Sequence, residues 1–384
     1  MNEFMIKTKI FTGQNCLKKL TELSIKKACI ICDPYMKESR KVDQITGILE
    51  ESGAVYQVFS EVIPDPTIEV VTKAVENICE FLPDTVIAFG GGSAIDTAKA
   101  VSYIYTKIQK QKPICLIAIP TTSGTGSEVT SFAVISDPKA GAKYPLVSSQ
   151  MIPDIALLDP VLTVSVPAHI TADTGIDVLT HALEAIVSAD AQVLTDAGAE
   201  KAIRLVWKYL EPAVKNGMDM ESRMYMHSAS CLAGIAFNQA SLGICHSMAH
   251  ALGARFHISH GRSNAVLLPH IIRYNAGLDT AGTSTTLRRY AEIAEMLGIW
   301  GSSDKSTVCM LIQKIKNLIK RIGIPQQITG LGIGYEEYAA AVPDMAAQAL
   351  ADKCLATNPR VPDITALKEI YMHLVRGDAD EIYN

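Results

Sequence analysis

Between residues 28 and 120, short β-branched and apolar runs alternate with longer segments whose apolar positions recur every three or four residues. The runs at 28–33 (ACIICD), 55–59, 85–89 and 115–120 (CLIAIP) are almost continuously apolar, the pattern of strands covered on both faces. The intervening stretches 37–52, 67–81 and 93–106 carry helical spacing. This alternation predicts a parallel sheet flanked by helices over residues 1–165. Beyond Pro160 the β-rich runs stop, and the Ala-, Leu- and Met-rich segments 172–188, 195–215 and 287–297 predict an all-helical second domain over 166–384. The switch is placed at 162–167 (LTVSVP), where two turn-favouring segments meet. The expected fold class is an α/β N-terminal domain followed by an all-α C-terminal domain.

Composition narrows the range of functions. A chain of 384 residues with 48% hydrophobic residues can fill two domain cores, which excludes a disordered protein. A formal net charge of −5, with no run of five like charges, offers no electrostatic footprint for nucleic acid or an anionic membrane, so small molecules are the expected partners. Nine cysteines, odd in number, scattered and without a leader segment before them, read as reduced thiols of a cytoplasmic protein. Cys29 and Cys32, with two residues between them in one strand run, read as core packing. Residues 224–254 hold no Asp, Glu, Lys or Arg. A membrane span would fit such a length. Asn238, Gln239, three histidines and several internal serines and glycines fit two buried helices of a soluble core better.

Candidate chemistry begins at the end of the 85–89 run. Gly90, Gly91, Gly92 and Ser93 follow it directly and lead into a helical segment. Glycines let a backbone turn sharply and let an anion approach its N–H groups, and a helix start adds unpaired donors. Ser93 and Asp96 also have the spacing of a capping box, the plainer explanation of the same residues. A second loop rich in glycine and hydroxyls, 120–128 (PTTSGTGSE), follows the next strand, and ligands of open α/β sheets bind at such strand ends. Together the two loops favour a nucleotide. The order differs from the standard dinucleotide fingerprint, because the acidic residue that could bind ribose hydroxyls, Asp33, precedes the glycines. Asp33-Pro34 serves equally well as a turn starter.

The histidines point to a metal. Five of nine, His246, His250, His257, His260 and His270, fall within 25 residues. Asp177 and His181 stand four apart in a helical segment, as do His246 and His250, so each pair shares a helix face; His260 is placed in the following loop. A carboxylate with several imidazoles suits Fe2+ or Zn2+ rather than Ca2+ or Mg2+. His169, His227 and His373, each alone, read as core residues. Neither HExxH nor zinc-finger cysteine spacing is present, which disfavours a zincin or a structural zinc site.

These motifs, in order, resemble the iron-dependent (group III) alcohol dehydrogenases: GGGSAIDTAKA at 90–100, PTTSGTGSEVT at 120–130, GIDVLTHALEA at 175–185 and SLGICHSMAHALGARFHISHGRSNAVLLPH at 241–270. The segments PDPT at 64–67, ISDPKAGAKYPL at 135–146 and LADKCLATNPR at 350–360 look closest to the propanol dehydrogenases of bacterial 1,2-propanediol utilisation. The resemblance implies a dehydroquinate synthase-like fold, with an N-terminal nucleotide-binding α/β domain and an all-α C-terminal metal-binding domain. It implies Asp177, His181, His246 and His260 as metal ligands and His250 as a catalytic residue beside them. For NAD it implies Gly91, Gly92 and Ser93 at the pyrophosphate, Thr121 and Thr122 in the second loop, Asp33 at the ribose, and Lys143. Four positions depart from the family pattern: Ser259 stands where proline is common, Arg262-Ser263 where apolar residue and alanine are frequent, and Asp173, placed in the loop before Asp177, where a neutral residue is usual.

The expected reaction is reversible hydride transfer between NAD and a short primary alcohol, run toward reduction of a small aldehyde such as propionaldehyde. In it Fe2+, or Zn2+ in its place, stabilises charge on the substrate oxygen while His250 relays the proton. The weighed alternatives are a metal-dependent sugar-phosphate synthase or glycerol-phosphate dehydrogenase of the same fold, and a non-catalytic protein of a microcompartment shell. Expected partners are the aldehyde or alcohol, further copies of the chain in a homo-oligomer, and microcompartment enzymes. The expected location is cytoplasmic, within such a compartment, although residues 1–12 are poorly amphipathic as a targeting helix.

Overall fold

The computed structural model describes residues 3–110, 113–139 and 142–376, and for 142, 143 and 376 the backbone alone. The chain divides into two compact units, Met1–Val166 and Pro167–Asn384.

The first unit carries strands β1 (Lys9–Thr12), β2 (Lys27–Cys32), β3 (Val55–Phe59), β4 (Thr85–Gly90), β5 (Cys115–Pro120), β6 (Phe132–Asp137), β7 (Ala142–Val147) and β8 (Ile155–Leu158). Its helices are α1 (Pro34–Glu38), α2 (Asp43–Glu51), α3 (Ile68–Phe81) and α4 (Gly92–Gln109). Six strands form one parallel sheet in the order β1-β8-β5-β4-β2-β3. Alternation along each central strand explains its continuous apolarity. Cys29, Ile31, Val86, Ala88, Leu116 and Ala118 pack with α3 and α4 in one core. Ile30, Cys32, Ile87, Phe89, Ile117 and Ile119 pack with α2 in another.

Four strands escape the hydrophobic pattern. β1 and β8 have only four residues each, and β6 with β7 forms an antiparallel hairpin of its own. The helix expected over 37–52 is two helices, α1 and α2, because the chain turns through Arg40 in the left-handed region at φ 58°.

The second unit is helical throughout its described residues: α5 (Ala168–Val187), α6 (Val193–Lys215), α7 (Met220–Ala240), α8 (Ile244–Phe256), α9 (His260–Ala276), α10 (Thr285–Met296), α11 (Asp304–Arg321), α12 (Tyr335–Ala351) and α13 (Ile364–Arg376). Helix α5 is buried from Gly175 to Val187 and sits so close to α6 that a Cβ on Gly175 would lie 2.1 Å from Leu210 Cδ1. The uncharged stretch 224–254 folds into α7 and α8, and among the described residues no helix is long and apolar enough to cross a membrane. Two expected loop positions are helical. His260 is the first residue of α9, and Asp173 lies in the second turn of α5. His169, expected in the core, is exposed in the first turn of α5.

Candidate metal centre and nucleotide loops

In the first unit the sequence-marked loops meet at the carboxyl ends of β2, β4 and β5, which are neighbours in the sheet. Asp33 follows β2 and caps α1, accepting from Met36 N at 3.1 Å, while a Cβ on Gly90 would lie 3.4 Å from its Oδ2. Gly90 has φ +154°, so the chain turns here in a way that an L side chain resists. Thr121 N donates to Gly90 O at 3.0 Å, and a Cβ on Gly91 would come within 3.3 Å of Thr122 Oγ1. Asp33, Gly91, Gly92, Thr121 and Thr122 therefore line one small region of backbone and short side chains.

The capping-box explanation of Ser93 and Asp96 does not hold. Gly91 is the N-cap of α4, without a side-chain cap, and the half-buried Asp96 carboxylate accepts from Ser127 Oγ at 2.5 Å and Val134 N at 3.0 Å. Beneath it Lys99, wholly buried, donates to Ser127 Oγ, Thr130 Oγ1 and Phe132 O, so that buried polar bonds hold the second loop to α4. The start of α4 thus leaves its first N–H groups facing the glycine turn. Lys143 pairs with Ser136 through the β6–β7 hairpin, and its side chain lies outside the described residues.

In the second unit, one atom each from Asp177, His181, His246 and His260 lies within 4.8 Å of every other. Helix α5 supplies Asp177 and His181 from successive turns, α8 supplies His246, and α9 supplies His260. Asp177 Oδ1 lies 3.6 Å from His246 Nε2 and 3.5 Å from His260 Nε2, and Asp177 Oδ2 lies 4.0 Å from His181 Nε2. A tetrahedral ion bound at about 2.1 Å needs ligand atoms about 3.4 Å apart, so this donor set fits a borderline divalent ion. Three members are buried, and His260 leaves 39% of its side chain in solvent, giving the cluster one open edge.

Burial opposes charge on Asp177, but His181 and His260 hold its carboxyl far below the usual range. Burial likewise opposes charge on His246, yet Glu184 and Asp177 carry its imidazole up to about 9. His260 is held well below the ordinary imidazole value by desolvation of its ring and by the facing His246 and His250, against the pull of Asp177.

Three functional neighbours went unnoticed in the sequence. Glu184, 2% exposed, accepts from His246 Nδ1 at 2.5 Å and from Cys245 N at 2.7 Å, which directs the Nε2 lone pair of His246 at the cluster. Its signal was available, since Asp177, His181 and Glu184 follow the spacing of a single helix face. Asn264, four residues after His260 and fully buried, donates to Asp177 Oδ1 at 2.7 Å and lies 3.2 Å from His260 Nε2. Asp352 had no sequence signal: it comes from the end of α12, 102 residues from His250, whose Nδ1 it meets at 2.8 Å. His250 stacks on His260 with ring centroids 5.2 Å apart. Burial opposes charge on Asp352, yet the His250 contact and the Cys354 N–H hold its carboxyl down at about 2.

His257 ends α8 in the left-handed region at φ 55°, and His270 stacks on His373 at 5.9 Å, both outside the cluster. All nine cysteines are free, and burial drives the Cys29 and Cys32 thiols up to about 12.

Comparison with known proteins places both halves in one class. Residues 7–160 match the model for "Iron-containing alcohol dehydrogenase", and residues 171–375 match "Fe-containing alcohol dehydrogenase family, C-terminal". The chain belongs to the iron-containing alcohol dehydrogenase family. It is 45% identical over 377 residues to the 1-propanol dehydrogenase PduQ of Salmonella typhimurium, covering 98% of this chain and 100% of that one. The iron-containing alcohol dehydrogenase of Thermococcus thioreducens superposes with a TM-score of 0.90 at 33% identity, covering 98% and 100%. Sulfoacetaldehyde reductase of Bifidobacterium kashiwanohense, solved in complex with NAD+, gives 0.87 at 29% identity, covering 98% and 100%.

Proposed function

We propose that this protein interconverts a short primary alcohol and its aldehyde with NAD(H), with 1-propanol and propionaldehyde as the pair suggested by the similarity to 1-propanol dehydrogenase. The observation that carries this reading is the convergence of Asp177, His181, His246 and His260, one carboxylate and three imidazoles, on a single point. These four residues hold Fe2+, with Zn2+ the competing ion for the same donors. When bound, the ion supplies electrophilic stabilisation of charge on the substrate oxygen, and NAD supplies or takes the hydride.

The chain's own residues orient and move the proton. Asp352, kept ionised, accepts the hydrogen bond of His250 Nδ1–H and leaves Nε2 as the atom that exchanges a proton with substrate or water. Asp33 accepts from the ribose hydroxyls and repels a 2′-phosphate, which selects NAD over NADP. Gly91, Gly92 and Ser93 bind the pyrophosphate, Thr121 and Thr122 complete that loop, and Lys143 reaches the cofactor. Arg262 is paired with Asp173 at 3.1 Å, so its charge is already matched and the site favours an uncharged substrate over a sugar phosphate. The finer setting we propose is a homo-oligomer working beside propanediol-utilising enzymes of a bacterial microcompartment.

The test is NADH oxidation by protein reconstituted anaerobically with Fe2+, over straight-chain aldehydes from ethanal to butanal, with NADPH in parallel. Stoichiometric 1-propanol from propionaldehyde and a preference for NADH are expected. Iron-loaded protein that oxidises no NADH with any of these aldehydes would defeat the reading.

The nucleotide loop has its own test. A Cβ at Gly92 would sit 2.6 Å from Thr125 Cγ2, pushing the second loop off the helix start. Gly92→Ala should therefore weaken NADH binding about ten-fold, as a close-packed contact is forced apart, and leave bound iron unchanged. Fluorescence titration of NADH with the variant measures this, and an unaltered Kd counts against the loop assignment.

A further inference from the structure

Three of the positions that depart from the family pattern, 173, 259 and 262, come from two distant segments and are joined through Asp173. Asp173 Oδ2 accepts from Ser259 Oγ at 2.6 Å, and its Oδ1 accepts from Arg262 Nε at 3.1 Å. Asp173 is 7% exposed, so a charge-assisted pair here is more strongly felt than a surface one. It lies one helical turn before Asp177 on α5, while Ser259 and Arg262 flank His260 at the start of α9.

Two features show that α9 sacrifices local stability to make this contact. Ser259 occupies the N-cap, where serine usually accepts from the first free N–H groups, yet makes no capping bond. Arg262 places a cation in the first turn of α9, where the helix dipole disfavours it. Asp173 offsets both costs by bonding each side chain. Between them, Gly261 packs directly on the α5 backbone: a Cβ there would lie 2.0 Å from Asp173 O.

We propose that Asp173, Ser259 and Arg262 are positioning residues that clamp the first turn of α9 to α5 and thereby set the spacing of His260 against Asp177. The clamp rests on the reading of those two residues as metal ligands. Its geometry is direct: the segment 259–262 is held to the turn that precedes Asp177, and His260 Nε2 lies 3.5 Å from Asp177 Oδ1. Without the clamp the cluster's open-edge ligand loses its fixed approach, while His181 and His246 stay anchored by α5 and by Glu184. The clamp also matches the Asp173 charge with Arg262, so α5 does not present two unpaired carboxylates one turn apart.

The experiment measures Co2+ affinity of metal-free protein by competition with a chromophoric chelator, together with the Co2+ absorption spectrum. Wild type is compared with Asp173→Asn, Arg262→Ala, Arg262→Lys and Ser259→Ala. Tight Co2+ binding by wild type tests the ligand assignment, and its failure defeats that assignment rather than the clamp. Given wild-type binding, Asp173→Asn and Arg262→Ala should each weaken affinity by about ten-fold or more and alter the spectrum, in the range seen when groups orienting metal ligands are removed. Arg262→Lys, which keeps a charge for Asp173, should recover most of the loss. Ser259→Ala removes one oxygen and should give a smaller loss of the same kind, even where the charge variants fold poorly. Affinity and spectrum unchanged in Asp173→Asn and Arg262→Ala, or in Ser259→Ala where those two fail to fold, overturn the clamp; so does an Arg262→Lys protein as weak as Arg262→Ala.

Discussion

Asp177→Asn is expected to lower iron retention and aldehyde reduction together, each by on the order of 10³-fold, the loss of several kcal/mol of electrostatic stabilisation. The change preserves shape and removes one charge. Asp177 is the sole carboxylate among the four converging groups and the atom pair against which the three imidazoles are arranged. In a buried site an ion with three neutral imidazoles keeps its full positive charge, whereas the carboxylate halves it, and charge in low dielectric is costly. Metal analysis of the purified variant and its NADH oxidation rate measure the two effects. The thermal midpoint should also stop rising on Fe2+ addition, since an ion that no longer binds the native state cannot stabilise it. A variant that retains one iron per chain and near-wild-type turnover would remove Asp177 from the ligand set.

The second large effect is expected at Glu184, which touches no proposed ligand position of the ion itself. Its two carboxylate oxygens each accept one buried donor, Cys245 N and His246 Nδ1. Glu184→Ala strands both donors, at about 1–3 kcal/mol apiece, and opens a cavity beneath α8. Glu184→Gln separates the roles. An amide has a single acceptor oxygen, so if that oxygen keeps Cys245 N, the amide N–H faces His246 Nδ1 and drives the ring proton to Nε2. That tautomer turns a donor hydrogen toward the metal position and cannot ligate. Glu184→Gln should therefore weaken metal affinity about 10–100-fold with a smaller stability loss than Glu184→Ala. Chelator competition and thermal unfolding of both variants decide it. Equal metal affinity in wild type and Glu184→Gln would show that Glu184 serves only the packing of α8.

How far the sequence carried this reading depends on the distance over which each feature is determined. The central strands β2, β4 and β5 were legible because residues covered on both faces must be apolar almost without interruption. β1 and β8, at four residues each, were not, because so short a run has no period to detect. The expected single helix at 37–52 failed at Arg40, whose left-handed conformation carries no sequence mark of the kind glycine leaves. His260 and Asp173 were assigned to loops because the polar and glycine-containing text around them, HISHGRS and TADTG, resembles linkers. Both residues are helical, in α9 and α5, which pack backbone to backbone at Gly261.

By itself the sequence determined what neighbouring residues control: the change near Pro160 from apolar strand runs alternating with helical segments to helical patterning alone, two glycine-rich turns after buried strands, and two metal-suited pairs at one-turn spacing. Each follows from backbone geometry over a few residues, so its mark is local. Only the tertiary structure decided which of five crowded histidines point at Asp177, that Glu184 and Asn264 orient them, that Asp352 meets His250 from 102 residues away, and that Asp173, Ser259 and Arg262 form one bonded set. Those contacts are set by how helices pack, through side-chain shapes summed over whole interfaces, and no short stretch of chain records that sum.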